Sequence, residues 1–347
     1  KCFIQGGIAV KKLIFIFLSL FIVLNAVSCN KSQVQPQDKL VQEKSDESGD
    51  EKLDKEQGKK ILNEYLKCLI LRDNDKINTY YSEKLKQEAG NFAPKPDPHP
   101  NGFKVDSVEE KEGKLQGKAT LLSVYTGQPY FSSDENIYTI IKEKSGYVID
   151  KIEQSKSTEI VEKDKSLFLK EGGDVKGKEI IKIDDFNGYM VPQGATPDRK
   201  YTIGRDGFGP IAGDAKGKKL AISTLGTYPV IMTLEIEGKK LNPIDLFFKN
   251  TVQSLSWSHD GTYIMAEVSN PEGSRSIYID DAEKGKRLDD SMKDIMKPDK
   301  YTINTPYWIS DNELVFNVSG MPNLSPDEEK MIGSYKFDAK NISLTQY

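Results

Sequence analysis

Only two histidines occur in 347 residues, so acid–base and metal chemistry have few candidates. His99 stands in Pro96-Asp97-Pro98-His99-Pro100-Asn101, where Asp97, His99 and Asn101 could chelate a cation. The simpler reading is a solvated proline-rich loop, since no second histidine joins them in sequence. His259 falls in a turn and reads as structural. Asp184-Asp185, Asp280-Asp281 and Asp289-Asp290 could hold Ca²⁺ only if the fold brought pairs together, and solvated turns are the default. There is no Gly-x-Ser-x-Gly elbow, no phosphate-cradling glycine loop and no calcium loop of alternating acids. The chain is therefore expected not to be an enzyme, with no catalytic, cofactor-binding or metal-binding residue assigned.

The one covalent site that stands out is Cys29. Lys11 and Lys12 precede an apolar run, Leu13–Leu24, and Ala26-Val27-Ser28 lead into the cysteine. A helix of twelve residues is about 18 Å long against a hydrocarbon core of about 30 Å, too short to span with ease. A charged start, an apolar core and small residues make a secretory signal. This one resembles the lipobox of bacterial lipoproteins. That resemblance implies cleavage before Cys29, diacylation of its thiol, and a membrane partner contacted through the lipid from the extracytoplasmic face. Ala26 departs from the leucine usual at that place, and an uncleaved anchor is the alternative. Two acyl chains hold a protein stably where one does not. Cys68, among Leu66, Leu69 and Ile70, reads as a buried helix residue.

Removing the three lysines before Cys29 leaves 46 basic residues against 53 acidic, a net charge of −7. That balance argues against nucleic acid as a partner. The elements that must carry any site fall into four segments. Residues 1–28 are the signal, and 29–53 are the lipidated cysteine with a polar, aromatic-free tether. Residues 54–157 begin with Asp54-Lys55-Glu56-Gln57, a capping-box pattern, and a helix marked by Ile61, Leu62, Tyr65, Leu66 and Leu69. Arg72–Asp75 ends that helix and starts a second bearing Ile77, Tyr80, Tyr81 and Leu85. Ala93–Gly102 reads as a loop. Four strands then follow at 103–108, 115–125, 136–142 and 147–152, with turns at Glu112-Gly113 and Ser145-Gly146. In order and size this α+β unit resembles the nuclear transport factor 2-like (cystatin-like) roll. Tyr65, Tyr80, Tyr81 and Tyr125 could line its cone, although aromatic core residues fit the same spacing.

Residues 158–347 repeat. Gly173-Asp174-Val175-Lys176-Gly177-Lys178 returns forty residues later as Gly213-Asp214-Ala215-Lys216-Gly217-Lys218, each before an apolar strand. Trp257-Ser258-His259-Asp260-Gly261 and Trp308-Ile309-Ser310-Asp311-Asn312 follow at similar intervals. An offset pattern of strand, polar turn and strand recurs at 234–241, 277–288 and 335–344. One repeat is then four short strands, the size of a propeller blade. These residues resemble the TolB-type β-propeller repeat, with His259 where that family has proline. Each aspartate–glycine pair makes a tight turn, and each tryptophan is expected to wedge between neighbouring blades. A sandwich is the alternative architecture.

The fold class expected is thus mixed: a small α+β roll followed by an all-β propeller-like domain, either a four-bladed ring or a partial propeller whose edge packs on the roll. The function expected is non-catalytic binding of an envelope or secreted protein by a lipid-anchored molecule. A small ligand in the cone or funnel is the alternative, and an unrecognised hydrolase or isomerase site is a third.

Overall fold

The computed structural model describes residues 53–89, 97–191 and 195–347. The expected signal, lipidated Cys29 and tether lie outside the described residues. Helix α1 (Lys55–Leu71) forms where the apolar residues recur at helical period, and it buries Leu62, Leu66 and Leu69. Asp54 caps it, its side chain accepting from the backbone N–H of Glu56 and Gln57. The reciprocal half of the capping box is replaced, because the Asp54 N–H donates to Tyr147 Oη at 2.6 Å. Arg72 ends the helix in the left-handed conformation, φ 55°.

The single second helix expected is two short ones, α2 (Asn74–Thr79) and α3 (Glu83–Ala89). Ser82 separates them: its hydroxyl accepts from the Leu85 N–H and donates to Asp150.

Next come β1 (His99–Lys111), β2 (Lys114–Val124), β3 (Tyr130–Glu143), β4 (Gly146–Lys163), β5 (Ser166–Glu171) and β6 (Lys178–Lys182), an antiparallel sheet in chain order. Both expected turns are present, at Glu112-Gly113 and before Gly146. Strand β1 starts at His99, so the end of the expected proline-rich loop is strand. Two further corrections follow from β4. It is 18 residues long and outruns the helix-covered core, so its second half pairs with β5, Ile160 opposite Leu169. The meander is therefore six-stranded rather than four-stranded, and the boundary drawn between residues 157 and 158 falls inside β4.

A two-stranded ribbon, β7 (Tyr189–Met190) and β8 (Tyr201–Thr202), leads to three sheets of four antiparallel strands each. The first holds β9 (Gly207–Gly213), β10 (Lys219–Leu225), β11 (Val230–Glu235) and β12 (Lys240–Leu246). The second holds β13 (Thr251–Trp257), β14 (Tyr263–Ser269), β15 (Arg275–Asp281) and β16 (Lys286–Arg287). The third holds β17 (Tyr301–Trp308), β18 (Glu313–Gly320), β19 (Gly333–Asp338) and β20 (Ser343–Gln346), with helix α4 (Pro326–Glu329) between β18 and β19.

The apolar cores lie in the seams between sheets, as blade packing requires. Ala212, Ile231, Val252 and Ile264 fill the seam between the first and second blade-like sheets. Ile277, Ile279, Phe316 and Phe337 fill the next seam. A third core joins the six-stranded sheet to the first blade, with Val124, Phe131 and Ile160 against Phe208, Ile211 and Leu220. The first strands of the blades, β9, β13 and β17, neighbour one another and are covered by β1, β2 and β3. There are three blade-like sheets among the described residues, and no four-bladed ring.

Candidate functional site

The repeat residues fall at the ends of strands and in the turns that follow them, and one copy lies outside the three blade-like sheets. Trp257 is buried between the first and second blades, and its Nε1 donates to the Ala212 carbonyl at 2.8 Å. Trp308 is buried between the second and third, stacked on Tyr263 at 6.1 Å between ring centroids. Gly213 occupies the corresponding place in the first blade. A Cβ there would come within 2.4 Å of Phe131 Cε1, so a side chain from β3 fills the wedge position of that blade.

The turns share a device the sequence motif did not reveal. A side chain just after the wedge accepts from the far side of the turn: Asp214 and Ser258, one residue on, from the Lys218 and Lys219 N–H and from Thr262 and Tyr263, and Ser310, two residues on, from Asn312 and Glu313. Gly261 takes φ +76°, the left-handed turn expected of it, and Gly217 lies in the corresponding turn of the first blade. Burial pushes the Asp260 carboxyl up, but hydrogen bonds from Thr262 and Ser258 outweigh this and hold it below the usual range. Asp311 lies in the third turn, close enough to His259 to act on it electrostatically. His259 is structural: burial lowers its pKa, and its Nε2 lies 3.2 Å from the Trp308 carbonyl oxygen.

The exception is the copy at Gly173 and Gly177. It forms the connection between β5 and β6, and β6 pairs with β5 in the six-stranded sheet. The turn and the strand exist, but they belong to the roll.

Of the other candidates, Cys68 is buried in α1 and its thiol is pushed up by burial. Tyr65, Tyr80 and Tyr81 form one packed cluster with Tyr138, and Tyr65 and Tyr81 share a buried hydrogen bond of 3.1 Å. Burial raises the pKa of Tyr65, Tyr81 and Tyr138, and that of Tyr80 to about 12, so all four phenols stay neutral. Tyr125 stacks on Tyr130 instead. Among the described residues no cluster of His, Cys, Asp and Glu is placed to hold a metal ion. Asp281 is tied to Lys284 and Asp290 to Lys293, while Asp280 and Asp289 converge with Asp245 on the half-buried Arg287.

Two surfaces among the described residues stand out as candidates for binding. One is an aromatic cluster at the end of the first blade: Tyr201, Tyr228 and Phe248 pack edge to face, centroids 4.9–5.8 Å apart. Phe248 is 44% exposed, and Leu225, at the end of β10, is 39% exposed.

The other is a cavity of about 360 Å³ where α1, β1, β13 and β17 meet. Its walls carry Arg72, His99, Ser254, Ser256, Glu267 and Arg275. His99 bonds through Nδ1 to Asp97 Oδ1 at 2.9 Å, the orientation a general base requires. The Ser256 hydroxyl, however, has no hydrogen-bond partner, so no serine–histidine pair is assembled there. Neither surface was foreseen, because its residues are far apart in sequence. The buried polar alternation Ser254, Ser256 on a strand between apolar neighbours is the signal that marks the cavity wall.

No protein-family model and no curated protein matches the chain. Among solved structures it is similar to a protein described as TolB from Agrobacterium tumefaciens, at 11% identity and a TM-score of 0.33, over 64% of this chain and 79% of that one. TolB from Acinetobacter baumannii gives 12% identity and a TM-score of 0.32, over 76% of this chain and 60% of that one. An acylaminoacyl peptidase from Pyrococcus horikoshii gives 10% and 0.29, over 62% of this chain and 31% of that one. The resemblance to TolB and other propeller proteins is remote.

Proposed function

We propose that the chain is a lipid-anchored, extracytoplasmic binding protein, held at the membrane through Cys29, that engages a protein partner without catalysis of its own. The observation that carries this reading is the aromatic cluster of Tyr201, Tyr228 and Phe248. Tyrosine and phenylalanine offer large, stiff contact areas that lose little entropy on binding, and they are enriched where proteins meet. Edge-to-face packing holds Phe248 outward although it is 44% exposed. The partner surface that matches it is apolar. The composition of residues 30–52, rich in charge and amide, is that of a tether.

A photo-crosslinking phenylalanine analogue at position 248, in cells carrying the full chain, tests this. One dominant crosslinked envelope protein is expected, and Tyr201→Ala, which removes the ring that holds Phe248, should abolish it. A crosslink pattern at 248 indistinguishable from that at the distant Lys340 refutes the surface.

A further inference from the structure

We infer that a cluster of charged side chains behind the aromatic surface is a pH-sensitive latch, which holds Phe248 in its packed position in acid and releases it as the pH rises. The inference rests on the partner surface proposed above and adds its regulation.

The latch crosses the seam between the first and second blades. Arg287 of β16 donates through Nε to Asp280 of β15 at 3.0 Å, and through Nη2 to Asp245. Its Nη1 lies 3.5 Å from Asp289, in the 3₁₀ turn Asp289–Met292 that follows β16. Asp245 belongs to β12, so one guanidinium ties together the last strands of two sheets. The site is secluded: side-chain exposure is 1% for Asp280, 12% for Asp245, 13% for Asp289 and 19% for Arg287. Three carboxyls therefore share one guanidinium where water screens them poorly. The other charged groups facing the cluster are at its rim. Asp290 is exposed and paired with Lys293, and Lys286 of β16 is exposed. Tyr278 of β15 lies against the guanidinium at 4.4 Å, and burial raises its phenol, so it stays neutral.

A row of packed rings joins the latch to the surface. Tyr278 packs on Phe247, centroids 5.1 Å apart, and Phe247 is the buried neighbour of Phe248. Phe248 in turn meets Tyr201 at 4.9 Å and Tyr228 at 5.5 Å. Asp245 stands near the end of β12, three residues before Phe248. What fixes Asp245 therefore also fixes the chain that presents Phe248.

Protonation sets how firmly it is fixed. Burial pushes Asp280 up to about 6 and Asp289 to about 7, against the pull of Arg287. Two protons thus leave between about pH 5 and 8, and the loss belongs to the cluster rather than to either carboxyl alone. While protonated, Asp280 and Asp289 compete weakly for the guanidinium, and its contact with Asp245 across the seam dominates. Once ionised, both draw Arg287 toward the second blade, and Asp280 repels Asp245. The end of β12 is then held less tightly, and Phe248 with it.

The test places 4-fluorophenylalanine at position 248 of the full chain and follows its fluorine resonance from about pH 5 to 8. The difference in shift between H₂O and D₂O is read at each pH, because it reports solvent exposure rather than the local electric field. Exposure should rise with a midpoint between about pH 6 and 7, while the same label at Phe316, in the next seam, stays unchanged. Asp280→Asn combined with Asp289→Asn keeps the size of both side chains and their uncharged form. It should hold position 248 at its acid value throughout, whereas His99→Gln, outside the cluster, should leave the transition intact. Crosslinking from position 248 should be severalfold stronger at the acid end. The fluorine signal needs no partner, so it judges the latch even where crosslinking refutes the surface. Exposure at 248 that does not change with pH, that changes equally in the doubly substituted chain, or that is matched at 316 overturns the proposal.

Discussion

Replacing each tryptophan by phenylalanine separates two side chains that occupy equivalent seams but differ in one bond. Both are buried, Trp257 at 3% exposure and Trp308 at 1%. Each replacement removes a similar volume from a packed seam. Complete truncation of a buried aromatic costs about 3–5 kcal/mol, so loss of one ring should cost about 1–2 kcal/mol at either site. The indole N–H groups then decide the difference. Trp257 Nε1 donates to the carbonyl of Ala212, a buried residue on β9. Phenylalanine forfeits that buried hydrogen bond, a further cost of about 1 kcal/mol. Trp308 Nε1 has no hydrogen-bond partner, so its removal adds no such penalty and relieves a buried unsatisfied donor. Trp257→Phe should therefore destabilise by about 2–3 kcal/mol, and Trp308→Phe by about 1–2 kcal/mol or less. Domains of this kind have about 5–15 kcal/mol to lose, so both variants stay folded. Urea unfolding followed by far-ultraviolet circular dichroism measures both, with unchanged m values confirming comparable transitions. Equal costs, or a larger one for Trp308→Phe, refute the assignment of Trp257 as the bonded wedge.

Three further expectations follow from other parts of the molecule. Burial raises Asp280 to about 6 and Asp289 to about 7, against the pull of Arg287. Unfolded carboxyls titrate near 3.9, so the folded state binds more protons between about pH 4 and those values. This contribution is complete below about pH 4 and is lost as pH rises through 6 and 7, at about 1.4 kcal/mol per pH unit for each group that is protonated only when folded. Asp289→Asn should flatten the fall, and thermal melts from pH 5 to 8 that run parallel for wild type and variant count against it. Gly213→Val pushes side-chain atoms into Phe131, and the cavity of about 160 Å³ beside that ring gives only partial relief. A cost of about 2–3 kcal/mol is expected, reduced when Phe131→Leu is added, and strict additivity of the two would deny the contact. Cys29→Ala should abolish lipid labelling and leave an unprocessed precursor, whereas labelled, processed protein would remove the anchor from the proposal.

What the sequence could and could not disclose follows from the range of the interactions. Helix α1, the Glu112-Gly113 turn and the Trp257 and Trp308 turns are local, set by residues within a few positions of one another, and they were legible. Which sheet a strand joins is not local. Gly173-Asp174 and Gly213-Asp214 look alike because both start a turn before an apolar strand, yet one strand pairs with β5 and the other with β9. The long β4 decides this, and nothing in its alternation announces that its second half leaves the helix-covered core. The cavity was illegible for a related reason. Ser254, Ser256, Glu267 and Arg275 are unremarkable in sequence, and they come together only when β13, β14 and β15 pair in one sheet. The aromatic cluster likewise needs Tyr201 of β8 to meet Tyr228 and Phe248 from two separate connections.

The three blades also explain why the roll is where it is. An incomplete ring of sheets leaves its inner strands and its first seam open, and exposed strand edges invite aggregation. Here β1 meets both β13 and β17, while β2 and β3 meet β9, so one sheet covers the inner strand of every blade. Specific bonds fix that cover: the Asn101 amide donates to the Leu255 carbonyl at 2.8 Å, and the Gly127 N–H donates to the Gln253 carbonyl at 2.9 Å. Phe103 packs on His259, and Tyr307 of the third blade enters the core beneath α1. Most telling is the first seam. Where the second and third blades carry their own tryptophan, the first has Gly213, and Phe131 of the roll supplies the missing ring. A blade sequence that has given up its wedge depends on the sheet that replaces it. The roll and the blades are thus one cooperative structure with a continuous core, and the cavity at their junction exists only because both are present.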